Sequence, residues 1–447
     1  MTESHPSLGQ AFRVWLKIGL LSFGGPAGQI ATMHRVLVDE KRWVGEARFL
    51  HALNYCMLLP GPEAQQLAIY LGWLLHRGLG GVVAGTLFVL PGFLVMMGLA
   101  ALYAGFHQLP LVEGLFYGIK PAVLAVVVEA LLRIGKRALK ASEMRWIAAA
   151  AFLAIFLFGI PYPLIVLGAA LLGGFAARAG HPAFLPKADA AGGGGAADRA
   201  IERGDSHTRP NLRRSLVIAA LCLVLWWAPV AAALVWGQGA FGAVGLFFSK
   251  MAVVTFGGAY AVLAYVAQEA VEVHGWLLPG EMLEGLGLAE TTPGPLILVN
   301  QFVGFLAGFR NPGSLGPWLG GLLGASLTVW VTFTPCFLWI LAGAPYVEAL
   351  RGNKALSGAL AAITAAVAGV ILNLSVWFAL HVIFAKVEEG RFGLLHLSVP
   401  DPHSLDPLSL VLAVAAGTAM LRLHLGMIPT LAACGTIGIA WRLLLLP

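Results

Sequence analysis

Charge is what this chain lacks. Of its 447 residues only 11% are Asp, Glu, Lys or Arg, where soluble domains carry roughly 25%. Together with 59% hydrophobic residues and a mean hydropathy of +0.82, that shortfall excludes an ordinary soluble enzyme. Cysteine is scarce too. Cys56, Cys222, Cys336 and Cys434 stand singly inside apolar segments, so no pair has metal-ligand spacing and inert buried thiols are expected. The sequence contains no HExxH, no Walker sequence, no Ser/His/Asp order and no Asp-rich metal motif, and every Asp lies outside the clear apolar spans. No cofactor and no metal is expected, and ATP-driven transport by this chain alone is excluded. The net charge of +6 comes without a basic face interleaved with aromatics, so nucleic acid is not an expected partner.

What the chain has is apolar sequence. Runs of 18 or more apolar residues recur from end to end, each long enough to cross ~30 Å of hydrocarbon, which makes the lipid bilayer its solvent. The first segment, with Glu3, His5, Arg13 and Lys17, does not read as a removable signal peptide. Clear spans are expected at 79–104, 113–133, 216–236, 315–342 and 356–384, with two more closing the chain at 408–423 and 427–446. A hairpin is expected around Gly159-Ile-Pro-Tyr-Pro163. Residues 178–214 are the one long hydrophilic stretch and carry Gly192–Gly195, a flexible linker. It separates an N-terminal half (1–177) from a C-terminal half (215–447).

The two halves repeat each other. Lys17, Ser22, Phe23, Gly24, Gly25, Pro26, Trp43 and Pro60-Gly61-Pro62 recur as Lys250, Thr255, Phe256, Gly257, Gly258, Ala259, Trp276 and Pro293-Gly294-Pro295, at a constant offset of 233. Pro91 and Pro335 continue the match at an offset of 244, so eleven residues are inserted between. Glycine pairs and Pro-Gly-Pro interrupt helices, and one extra span, 216–236, precedes the second copy and turns it over. The polar piece 34–48 carries four Arg or Lys, whereas 268–281 carries three Glu and none; the positive-inside rule places the first in the cytoplasm and the second outside. With a cytoplasmic N-terminus that requires each Phe-Gly-Gly segment to enter and turn back, a full crossing being the alternative. The expected fold is an all-α polytopic membrane protein whose two homologous halves form an inverted repeat with broken or re-entrant helices.

Broken helices leave backbone N–H groups and a positive dipole end inside the membrane, tolerated only where they line a cavity or are buried. Secondary transporters hold anions at such ends. The candidate binding residues are therefore the breaks: Ser22, Phe23, Gly24, Gly25, Pro26, Pro60, Gly61, Pro62, Thr255, Gly257, Gly258, Thr292, Pro293, Gly294 and Pro295, with Asn54 and Gln66 near them. Lys17 and Lys250 sit two helical turns before the glycine pairs. They either offset an anion's charge or snorkel to the interface. Glu63 either caps a half-helix or carries a proton; Glu290 is the second copy's comparable carboxylate.

These residues resemble a known family. Ser22–Pro26, the run Leu53-Asn-Tyr-Cys-Met-Leu-Leu-Pro-Gly-Pro-Glu-Ala-Gln-Gln66, Thr255–Gly258 and Thr292–Pro295 look like the chromate ion transporter family in its long, two-domain bacterial form. The resemblance covers nearly the whole chain apart from the linker. It implies efflux of chromate, a sulfate-like dianion, across the bacterial inner membrane, conferring resistance, with sulfate as a competitor. An anion channel, a transporter of sulfate or another oxyanion, and a membrane-embedded reductase are the alternatives. The energy source and a homo-oligomeric state stay open.

Overall fold

The computed structural model of the protein describes residues 6–23, 25–185, 210–256, 259–278, 280–346, 353–393 and 395–445, and so omits most of the linker. In chain order its helices are α1 (Leu8–Leu21), α2 (Gly25–His34), α3 (Glu46–Cys56), α4 (Glu63–Phe106), α5 (Pro110–Ala138), α6 (Ser142–Phe158), α7 (Tyr162–Arg178) and α8 (Leu212–Trp236). There follow α9 (Phe241–Val254), α10 (Ala259–Gln268), α11 (Glu281–Thr291), α12 (Val299–Arg310), α13 (Pro317–Gly343), α14 (Lys354–Ile383), α15 (Pro407–Leu421) and α16 (Met427–Leu445). Six of the described helices are long and apolar enough to cross a membrane. The chain is an all-α multi-pass membrane protein. One antiparallel hairpin, β1 (Val387–Phe392) with β2 (Leu395–Pro400), turns at Gly393 and was not foreseen from the sequence.

The repeat is visible in the backbone. α1 opens on a capping box in which the Gln10 N–H donates to Ser7 Oγ and the Ser7 N–H to Gln10 Oε1. Its 14 residues rise about 21 Å, short of the ~30 Å hydrocarbon core, so it is broken where the sequence breaks. Ser22 Oγ then donates back to the Ile18 carbonyl at 2.6 Å, as Thr255 Oγ1 does to Met251 at 2.6 Å. A π-helical turn follows α2 at Arg35–Glu40 and another follows α10 at Glu269–Val273. The Trp43 N–H donates to Leu37 at 2.8 Å and the Trp276 N–H to Ala270 at 2.8 Å. The hydroxyl and tryptophan bonds keep the offset of 233, and the two π-helical turns keep it at their last residues, Glu40 and Val273.

The described chain forms two compact units: residues 1–98, 187–259 and 292–353 in the first, and 99–186, 260–291 and 354–447 in the second. Each takes chain from both sides of the linker, a different cut from the division of the sequence at 177 and 215.

In the first unit α4 is two arms joined at His76 and Arg77, which leave helical geometry. The arms pack through glycine: a Cβ on Gly80 would lie 2.2 Å from the Gly72 carbonyl oxygen. α12 and α13 repeat this hairpin, with Gly308 against Gly320 at 2.2 Å and Gly324 against Gly304 at 2.2 Å. Part of the eleven-residue insertion is the loop between α12 and α13, which replaces the abrupt turn at Arg77.

The second unit packs α5 on α16 and α14 on α6 and α7. A Cβ on Gly118 would stand 2.0 Å from the Cys434 carbonyl oxygen, backbone that cannot swing aside. Gly118→Ala is expected to force α5 from α16 and cost about 1–3 kcal/mol, read as a lower unfolding temperature in detergent. Lys120, without a partner on its own helix, meets Glu284 at 2.8 Å, and Tyr103 donates to Glu284 and Glu281.

Candidate functional site

The four breaks converge within the first unit. The Gly61 N–H, in the first Pro-Gly-Pro, donates to the carbonyl of Thr255 in the second copy at 2.7 Å. The Gly294 N–H, in the second Pro-Gly-Pro, donates to the carbonyl of Ser22 in the first copy, also at 2.7 Å. Two reciprocal bonds of this kind are what a two-fold relation between the copies produces. Both glycines sit at positive φ, 111° and 94°, where other residues are strained. Gln29 tightens the crossing: buried, its Nε2 donates to the Gly294 carbonyl at 2.6 Å. Gln66 Nε2 likewise donates to the Pro60 carbonyl at 2.7 Å, and Gln301 Nε2 to that of Phe93 at 2.9 Å.

Between the breaks lies a cavity of about 20 Å³ lined by Pro26, Gln29, Pro62, Glu63, Ala64, Thr255, Ala259, Pro295, Leu296 and Ile297. Pro26 and Gln29 lie in the first turns of α2, and Pro62, Glu63 and Ala64 at the start of α4. Thr255 lies at the end of α9, Ala259 at the first residue of α10, and Pro295, Leu296 and Ile297 at the 3₁₀ turn (Leu296–Leu298) that runs straight into α12. Each helix start presents unpaired N–H groups and about half a positive charge, and each stabilises an anion by typically 0.3–1 kcal/mol, up to about 2 where partly buried. Helix starts gathered on one cavity favour negative charge there without a cationic side chain. The space holds about one water and is too small for a tetrahedral oxyanion.

Of the residues singled out in the sequence, Pro26, Pro62, Glu63, Thr255 and Pro295 line this cavity, and Ser22, Gly61 and Gly294 form the crossing beneath it. Thr292 and Pro293 are buried beside Gly294; Gly25 and Pro60 are half-buried at their breaks. Gly24, Gly257 and Gly258 lie outside the described residues. Phe23 and Asn54 are exposed. Lys17 is exposed and ion-pairs with Glu40 at 3.3 Å, and Lys250 is exposed at the equivalent place; neither lines the cavity. Glu290 is buried in the second unit, where it accepts the Tyr260 hydroxyl. Gln29 escaped the sequence reading, although a lone amide in the apolar run after Pro26 was the signal that could have found it.

The family model described as chromate transporter matches residues 9–174 and 242–439. The chain belongs to the chromate transporter family. The two matched regions are the two copies of the repeat, and the excluded middle contains the linker. Among its relatives, this family member is 36% identical to the chromate transport protein of Pseudomonas aeruginosa, over 83% of the chain and 81% of that protein. It is 27% identical to the chromate transport protein of Cupriavidus metallidurans, over 82% and 81%. An uncharacterized transporter of Bacillus subtilis, YwrB, is 29% identical over 73% of its own length but only 32% of this chain, as a relative built from a single copy would be. No solved structure matches the chain.

Proposed function

We propose that this family member exports chromate from the cytoplasm across the bacterial inner membrane by alternating access between inverted halves, and so confers chromate resistance. The observation that carries the reading is the convergence of four helix starts from both copies on one cavity. Chromate sits there on backbone N–H groups, with Glu63 and Gln29 as its side-chain neighbours. The resting cavity holds about one water, so the helix starts must part to admit the ion. A crossing held by two equivalent hydrogen bonds is suited to parting toward either side. An inside-negative potential drives a dianion outward at ~2.3 kcal/mol per charge per 100 mV.

Lys17 and Lys250 act on this site only through their field, which water and lipid headgroups at the interface screen. The test is uptake of labelled chromate into inside-out vesicles at a set potential, with unlabelled sulfate as competitor. Saturable uptake that rises with potential and is inhibited by sulfate is expected. Lys17→Ala and Lys250→Ala should raise KM no more than a few fold and leave kcat unchanged. Loss of saturable uptake in both variants, with normal insertion, would place the lysines on the ion and overturn this assignment. Unitary conductance in planar bilayers would replace the transporter by a channel, and a reduced chromium product in the vesicles would replace it by an enzyme.

A further inference from the structure

A second, larger cavity lies in the first unit: an open groove of about 850 Å³ between the second arm of α4, α8 and α13. Its register follows from contacts. Gly81 lies against Leu341 and Gly85 against Phe337, so α13 runs antiparallel to the α4 arm. Val230 and Leu327 both touch Gly245, while Trp330 Nε1 donates to the Leu225 carbonyl at 2.6 Å, so α8 runs antiparallel to α13. That carbonyl lies four residues before Pro229, which has no N–H to give it; the indole supplies the missing donor and pins the groove's inner end.

From this register both cations of the groove fall at one end. Arg214 precedes Leu225 by the same number of residues as Leu341 follows Trp330, which brings Arg214 level with Leu341. Gly81 faces Leu341 and Arg77 precedes it by four residues, about one turn further toward that same end. Away from the arginines the walls are mostly apolar over the 16 residues from Arg77 to Phe93, about 24 Å of helix, with Gln65, Thr86, Ser326 and Thr334 as the polar exceptions. Val82, Leu221 and Trp330 are exposed on the outer surface, so the groove opens sideways, to lipid. Arg77 is also held at φ 55° and ψ −152°, a conformation costing a non-glycine residue about 1–3 kcal/mol, so an arginine stands at a turn where glycine would be cheaper.

A charged end and a long apolar trough exclude a small hydrated oxyanion as occupant and fit an amphiphile. Guanidinium groups bind phosphate in bidentate fashion, and basic pockets between membrane helices take anionic headgroups. We propose that this groove is a binding site for an anionic phospholipid, its phosphate on Arg77 and Arg214 and one acyl chain along α4 and α8. The site is separate from the chromate cavity, and its test does not depend on transport.

The test is native mass spectrometry of the full-length protein in detergent, with phosphatidylglycerol or phosphatidylethanolamine of identical acyl chains. Phosphatidylglycerol is expected to be retained at least tenfold better. The pair R77Q/R214Q should reduce that preference below threefold, R77K/R214K, which keeps the charge but not the bidentate fork, should fall between the two, and Val82→Trp should displace the lipid with both arginines intact. Equal retention of the two lipids, or an undiminished preference in R77Q/R214Q, would overturn the proposal. Displacement of the lipid by equimolar inorganic phosphate would overturn it in favour of a free-anion site. If R77Q/R214Q does not fold, Val82→Trp decides alone, and lipid retained by that variant refutes the assignment.

Discussion

Gly61→Ala and Gly294→Ala should each lower saturable chromate uptake at least tenfold, and by similar factors. Both glycines hold positive φ, where a side chain costs about 1–3 kcal/mol. At Gly61 the new Cβ would also lie 3.1 Å from Gln66 Nε2 and 3.2 Å from Cys336 Sγ; at Gly294 it would meet Leu298 at 3.2 Å and the Gly92 backbone at 3.3 Å. Relief of that strain rotates the peptide whose N–H crosses to the other copy, so a bond worth about 0.5–1.5 kcal/mol is lost as well. Since 1.4 kcal/mol is a factor of ten, either term alone approaches the predicted loss. Gly168→Ala, where an added Cβ meets nothing within 4 Å, is the control and should transport normally. A large effect at one glycine with none at the other would contradict the two-fold relation between the breaks.

The sequence made some of this legible and hid the rest for a physical reason. Breaks, spans and the repeat are local properties: Gly-Gly-Pro, Pro-Gly-Pro and a fixed offset need no partner to be seen, and the capping hydroxyls of Ser22 and Thr255 follow from the same register. The eleven-residue insertion was legible as a number and its place was not, because the turn at Arg77 and the loop after α12 differ in backbone rather than in composition. Partner choice was hidden. Gly61 bonds to Thr255 and Gly294 to Ser22, across more than 190 residues, and no periodicity reports which break meets which. For the same reason the compact units that interleave the halves were not foreseen. The lysines show the same limit: their symmetric spacing is real, but sequence cannot choose between a side chain that offsets an anion's charge and one that lies exposed, as Lys17 does beside Glu40.

Glu63→Gln is expected to abolish the pH dependence of uptake at fixed potential. Glu63 is the first residue of α4 and lines the cavity, so its carboxylate draws on the same helix start that an oxyanion would use. Two unit charges about 4 Å apart repel by roughly 4 kcal/mol at an effective dielectric constant of 20, and chromate carries two. Binding therefore favours the protonated carboxyl, which makes the affinity for chromate depend on pH. The repeat equivalent of Glu63 is Leu296, which leaves one such group in the lining. With potential clamped, wild-type KM should rise at least tenfold as the pH is raised. In Glu63→Gln it should stay low and flat, because the charge that competes with chromate is gone. Glu290→Gln, which alters a carboxylate bonded to Tyr260 in the other unit, should keep the wild-type profile. If the two variants exchange these behaviours, Glu290 is the titrating group and Glu63 only caps its helix. If both keep the wild-type profile, neither carboxylate sets the pH dependence.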